Sequence, residues 1–159
     1  MKSTKTQELL LNLMPMWNYQ IAKPFKQLLD EGVSLEMYYC IQMLRWQGGT
    51  MTMSQLARQT KMPKQQMTKL VNRLVEQRLV SRTDDLLDRR VINIQLTKEG
   101  LEYMDHFLEN EGSFSGFLDK LDEEQKEKFR KALEIMFEVF LQTSGDIDPP
   151  LVSPEAAKR

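Results

Sequence analysis

The sequence has little with which to carry out covalent chemistry. A single cysteine, Cys40, and a single histidine, His106, stand in 159 residues. One cysteine excludes an intramolecular disulfide framework and any multi-cysteine zinc or iron–sulfur site. One histidine removes most metal and proton-relay chemistry. There is no Gly-rich phosphate loop, no metalloprotease or serine-hydrolase motif, and no carboxylate pair with a plausible base. An enzyme is therefore not expected, and no cofactor or metal is called for. No apolar run approaches the roughly 20 residues of a membrane span. The N-terminal stretch lacks a small-residue cleavage site, so a signal peptide is not expected. The lone cysteine fits a reducing compartment, and the expected location is cytoplasmic.

The composition is that of an ordinary globular chain, 41% hydrophobic and 28% charged. A chain of this length can bury about two thirds of its unfolded surface, so it needs no covalent staple. The net charge of −1 hides an asymmetry. Residues 52–98 hold ten Lys/Arg against four Asp/Glu, while the remainder holds twelve against nineteen. A basic middle between acidic flanks is how a local phosphate-binding face is written in a sequence.

Apolar positions Leu10, Leu13, Trp17, Ile21, Phe25 and Leu28 have helical spacing, with Pro15 and Pro24 expected to kink or break the helix. After Gly32, Ser34 can cap a helix over Leu35–Trp46 that is apolar nearly all round, as a central helix is. Thr52 and Gln55 form a capping box for a short helix to Gln59. Pro63 opens another, to about Gln77, with Met67, Leu70, Val71 and Leu74 as one stripe. Leu79–Thr83 and Val91–Leu96 read as two strands joined by a long loop. Thr97 can cap a long helix weakened at Gly112 and Gly116, and Asp122 with Gln125 can box the last one. The expected fold is mainly α with a small β-hairpin wing: a winged helix-turn-helix with helices at both ends. The expected divisions are an N-terminal dimerisation helix at 1–31, a winged-helix lobe at 32–97, C-terminal dimerisation helices at 98–144 and a loose tail at 145–159.

Opposite the apolar stripe, the fourth helix turns outward Gln65, Lys69, Asn72 and Glu76, flanked by Gln66, Thr68 and Arg73. Glutamine and asparagine suit adenine edges and lysine suits guanine. Gln65, Gln66, Thr68 and Lys69, in the half that would enter a major groove, are the expected base readers. Lys64 and Arg73 are better placed for phosphates. Arg89 and Arg90 lie at the tip of a projecting ribbon, where an arginine can enter a minor groove, and Asp88 can hold one of them in a bidentate pair.

The stretch Met53–Gly100 resembles the core of the MarR (multiple antibiotic resistance regulator) family. The resemblance rests on Leu56-Ala57, on Leu79-Val80 with Arg82, on Asp88-Arg89-Arg90, and on Leu96-Thr97 with Gly100. It covers residues 32–100, since "GVSLEMYYCIQML" also resembles the family's second helix. It implies a winged-helix homodimer that binds a pseudo-palindromic DNA operator, acts as a repressor, and takes a small-molecule or redox input. By position, Arg89 matches the family's minor-groove arginine, Asp88 with Arg90 the pair that braces the wing, and Gln65, Gln66, Thr68 and Lys69 the reading half of the recognition helix. Lys61 and Arg78 depart from the pattern, standing where the family commonly has glycine. Leu86 and Leu87 make an unusually apolar wing tip.

Two half-sites on DNA need a rigid dimer. Leu9, Leu10, Leu13, Trp17, Phe129, Leu133, Phe137 and Phe140 are its candidate interface residues, with intramolecular core as the other reading. Trp17, Tyr38, Tyr39, Met43 and Trp46 could line a pocket for an amphipathic or phenolic effector, with core packing as the safer reading. Cys40 has no basic neighbour in sequence to activate it and reads as buried; a redox-sensing regulator using Cys40 is the alternative. His106 reads as an exposed helix residue. A winged-helix module that binds an acidic protein instead of DNA is the competing class of function.

Overall fold

The computed structural model describes residues 2–110 and 112–143. The expected tail at 145–159 lies outside the described residues. In chain order the elements are α1 (Lys2–Trp17), a π-helical turn (Asn18–Ala22), α2 (Lys23–Lys26), α3 (Leu35–Trp46), β1 (Thr50–Thr52), α4 (Met53–Thr60) and α5 (Lys64–Glu76). They continue with β2 (Val80–Asp84), β3 (Ile92–Leu96), α6 (Lys98–Glu109), α7 (Ser115–Leu118) and α8 (Glu123–Thr143). The three strands form one antiparallel sheet in the order β1-β3-β2.

Capping residues set the boundaries. Ser34, Thr52 and Thr97 each sit in extended backbone and accept a hydrogen bond from the third residue beyond, which satisfies a helix donor that would otherwise be unpaired. In the boxes at Thr52 and Asp122, the glutamines Gln55 and Gln125 return the bond to the cap's own N–H. Lys61 and Arg78 end α4 and α5 in left-handed backbone, with φ of 54° and 61°. Behind each, a six-residue bond closes the helix end, from Met62 N–H to Ala57 O and from Leu79 N–H to Leu74 O, both at 3.0 Å.

The core sits where α3, α4, α5, the sheet and α6 meet. Met37, Cys40, Ile41 and Leu44 from α3 pack with Leu56, Met67, Val71, Leu74, Ile94 and Met104, all fully buried. Each such side chain contributes about 1.5–3 kcal/mol relative to exposure. The stripe Met67, Leu70, Val71 and Leu74 is buried as its spacing predicts, which fixes the opposite face of α5 toward solvent. Arg45 of α3 pairs with Asp105 of α6 at 2.7 Å across the edge of this core. An aromatic cluster of Phe25, Tyr38, Tyr103, Phe107 and Phe114 ties α2 and the end of α6 to α3.

Three local expectations are corrected. The first helix runs through Pro15 without interruption, whereas at Pro24 it is interrupted as expected, by a π-helical turn that leads into α2. Such a turn takes up the extra residue that an α-helix cannot place. The long helix after Thr97 ends earlier, at Glu109, because Asn110 adopts extended backbone ahead of Gly112. The hairpin is joined by a third strand, β1, which pairs Met51 with Ile94; only three residues long, it carries no alternation to announce it.

α1 and α8 lie outside the core. Residues 4–20 are exposed throughout, and α8 buries no residue against its own chain. Leu9, Leu10, Leu13, Trp17, Phe137 and Phe140 are all exposed, whereas Phe129 and Leu133 are half-buried, Phe129 against Phe117.

Candidate nucleic-acid interface

With its apolar stripe buried, α5 exposes Lys64, Gln65, Gln66, Lys69, Asn72 and Arg73. Thr68 is half-buried, and its hydroxyl donates to Lys64 O at 2.9 Å. That bond spends the donor on the helix itself, leaving Thr68 only lone pairs and a methyl group to offer. Asn72 is also engaged, since its Oδ1 accepts from Arg82 Nη1 of β2 at 2.8 Å. An asparagine that reads adenine needs both its oxygen and its nitrogen. Asn72 held this way presents its NH2 as a donor, and it suits a phosphate or another acceptor.

The wing is a built loop. Asp85 N–H donates to Val91 O at 2.9 Å and closes it at the base. The Asp85 carboxylate then accepts from the N–H groups of Leu87 (2.9 Å) and Asp88 (3.2 Å) and from Asn93 Nδ2 (3.2 Å). These bonds, the Leu87 N–H first, hold the Asp85 carboxyl below its ordinary range although it faces solvent. Asp88 accepts from the Arg90 backbone at 3.0 Å and from its guanidinium at 3.1 and 3.3 Å. The Arg90 side chain chiefly accounts for the lowered pKa of Asp88. Arg89, between them in the chain, is exposed and makes no ion pair among the described residues. Of the two tip arginines, one is thus committed to the loop and the other is free.

The structure brings the α5 face and the wing together through Arg82, which reaches from the wing strand to the helix. Sequence reasoning missed both Arg82 and Asp85 as organisers of this surface. Asp85 was detectable, because an aspartate at the start of a turn commonly accepts backbone N–H groups two and three residues on. Arg82 carried no local signal, since its partner lies ten residues away on another element.

The candidate pocket residues do not form one group. Tyr38 packs edge-on against Phe25 and Phe107, with ring centroids 4.7 and 5.8 Å away, and lies 6.4 Å from Tyr39. Burial raises the Tyr38 hydroxyl's pKa. Met43 lies at the edge of the core, and Trp46 faces Phe137 of α8 at 5.5 Å. Trp17 is exposed on α1 and makes no ring contact among the described residues. Cys40 is fully buried, and burial pushes its thiol up to about 12, opposite to the shift a redox sensor needs. His106 is exposed. Among the described residues no cluster could hold a metal ion, and no helix is long and apolar enough to cross a membrane.

Residues 32–91 match the model of the MarR family. No curated protein matches the chain in sequence. Among solved structures, the chain is similar to wild-type MarR from E. coli in its apo form, with a TM-score of 0.67 at 17% identity over 79% of this chain and 93% of that one. A mutant E. coli MarR complexed with operator DNA gives 0.60 at 18% identity, over 80% and 92% of the two chains. The organohalide-sensing RdhR transcriptional regulator in its 2,4-dichlorophenol-bound form gives 0.62 at 20% identity, over 87% and 82%. These likenesses establish the fold. The basic helix, the braced wing and the three-stranded sheet that joins them thus belong together as one winged-helix unit, whose residues 32–91 match the MarR family model.

Proposed function

We propose that the protein is a sequence-specific double-stranded DNA-binding transcription regulator, acting in the cytoplasm as a repressor. The observation that carries the proposal is the Arg82–Asn72 hydrogen bond, which puts the polar face of α5 and the wing on one surface. A helix for the major groove and an arginine for the neighbouring minor groove are then available to a single duplex. Gln65, Gln66 and Lys69 reach base edges. Thr68 adds a weaker contact, and Lys64, Arg73 and Asn72 hold phosphates. Arg89 enters the minor groove while Asp88 and Arg90 brace the loop. The similar E. coli protein caught with operator DNA supports this reading.

The regulator is a homodimer on a pseudo-palindromic operator. A 16-residue helix exposed over residues 4–17 is marginal in water by itself, and α1 leaves Leu9, Leu10, Leu13 and Trp17 exposed at helical spacing among the described residues. A second copy, contacted through α1 and α8, supplies the missing partner. A small amphipathic or phenolic ligand releases the DNA; the dichlorophenol-bound RdhR supports that class of effector. Such a ligand would lie among Tyr38, Tyr39, Met43, Trp46 and Trp17 once two copies close over them.

Fluorescence anisotropy on duplexes selected from a randomised pool tests the proposal. Binding should weaken steeply with salt, as counterion release requires. Arg89→Ala should weaken binding to all sequences, and Gln65→Ala should change base preference by about 1–3 kcal/mol at one position per half-site. Absence of salt-sensitive binding to any duplex would remove the proposal. Capture of an acidic protein with no preference among DNA sequences would favour the protein-interaction module.

A further inference from the structure

Leu86 and Leu87 are the most exposed large apolar side chains described, at 101% and 98% of full accessibility. Leaving two leucines in water forgoes the stabilisation that burial would return. Their backbone is held in place. Asp85 closes the loop with its own N–H and grips the N–H groups of Leu87 and Asp88 with its carboxylate, while Asn93 of β3 holds that carboxylate from the sheet side. The loop thus presents a stiff apolar point, with Arg89 two residues on.

The chemistry around the point selects among occupants. The charge of Asp88 is spent on Arg90, and that of Asp85 on three hydrogen bonds. Asp84 lies further back, at the end of β2. The free charge beside the leucines is the guanidinium of Arg89. An apolar point beside a cation matches a minor groove, where the sugar walls and base faces are apolar and the floor and phosphates are negative. An acidic partner protein would match Arg89 but would need an apolar pocket beside its carboxylates to seat the leucines, which the minor groove offers at every opened step.

We propose that Leu86 and Leu87 form a wedge that enters the minor groove beside Arg89 and pries open one base step, bending the DNA at each half-site. The inference rests on the DNA-binding reading above. It assigns the wing a second means of recognition, because opening a step is easiest at flexible pyrimidine–purine steps. The protein would then prefer such a step under the wing without touching a base edge there.

The test uses the full-length protein and duplexes selected on the wild type from a randomised pool. One set carries 2-aminopurine under the wing, and another carries end-labels for energy transfer. The wild type should raise 2-aminopurine fluorescence, shorten the end-to-end distance and select a TA or CA/TG step at that position. Leu86→Ser/Leu87→Ser should abolish both signals and weaken binding by about tenfold. Leu86→Met/Leu87→Met should restore them. Because both side chains are fully exposed, unfolding curves should superimpose on the wild type. Equal signals and equal affinity in the serine variant would overturn the wedge while leaving DNA binding intact. The same would follow if that variant lost only a protein partner. If the wild type selects no duplex at all, the wedge falls together with the DNA-binding reading.

Discussion

Gly100 sits so close to Leu79 that a β-carbon on it would stand 2.1 Å from the Leu79 carbonyl oxygen and 2.8 Å from Leu96 Cδ1. The contact belongs to a clasp. Thr97 N–H donates to the same Leu79 oxygen at 3.1 Å, and its hydroxyl donates to Arg78 O at 2.7 Å and accepts from Gly100 N–H at 2.9 Å. The start of α6 is thereby locked onto the turn between α5 and β2. In an ordinary helix interior, glycine to alanine stabilises by about 1 kcal/mol. Here Gly100→Ala should destabilise by about 2–3 kcal/mol, because the obstacle is backbone and cannot swing aside. Urea unfolding measures it, and the sign alone decides.

Lys61 and Arg78 hold left-handed backbone that glycine adopts without penalty. A non-glycine residue there costs about 1–2 kcal/mol, and the extra freedom of glycine in the unfolded chain takes back part of the gain. Lys61→Gly and Arg78→Gly should each stabilise by about 0–1 kcal/mol, raising Tm by about 2–4 °C at most. A fall in Tm by calorimetry for either variant would show that its side chain does something the bend does not explain.

Cys40 makes a pH prediction. Its pKa is raised from 9.0 to about 12 by burial. A raised folded value means that the native state holds its proton longer than the unfolded chain. The stability linked to Cys40 is therefore complete below pH 9 and is lost as pH rises toward 12. Tyr38 and Tyr103, also raised by burial, add to the loss at still higher pH. Urea unfolding at pH 8 and pH 10 should show the decline, smaller in Cys40→Ala than in the wild type. Native Cys40 should also resist iodoacetamide at pH 7.5 until the chain is unfolded. Fast alkylation of the folded protein would restore the redox alternative.

The outer helices predict an oligomeric state. Leu13 and Phe140 are exposed in the single chain, so Leu13→Glu and Phe140→Glu should leave the winged helix folded. In sedimentation the wild type should be a dimer at micromolar concentration and the double variant a monomer. The variant should also lose part of its helical circular dichroism, because residues 4–17 of α1 are exposed in the single chain. A monomeric wild type would contradict the proposed dimer.

The elements that were legible in the sequence are those whose physics is local. The capping boxes at Thr52 and Asp122, the stripe from Met67 to Leu74 and the Asp88–Arg90 pair all link residues a few positions apart. The misread ones depend on distant partners. β1 is a strand only because Ile94 is there to pair with Met51, and the part Arg82 plays shows only once Asn72 lies beside it. Pro15 costs α1 one donor without interrupting it, and the irregularity falls where Pro24 follows, in the π turn just before α2.

Hydroxyl-radical footprinting on a wild-type-selected duplex tests the central claim most directly. The account predicts two protected segments with centres one helical turn, about 34–36 Å, apart. Each should be flanked by a protected minor groove that disappears in Arg89→Ala. A single protected segment, or protection that does not depend on sequence, would contradict it.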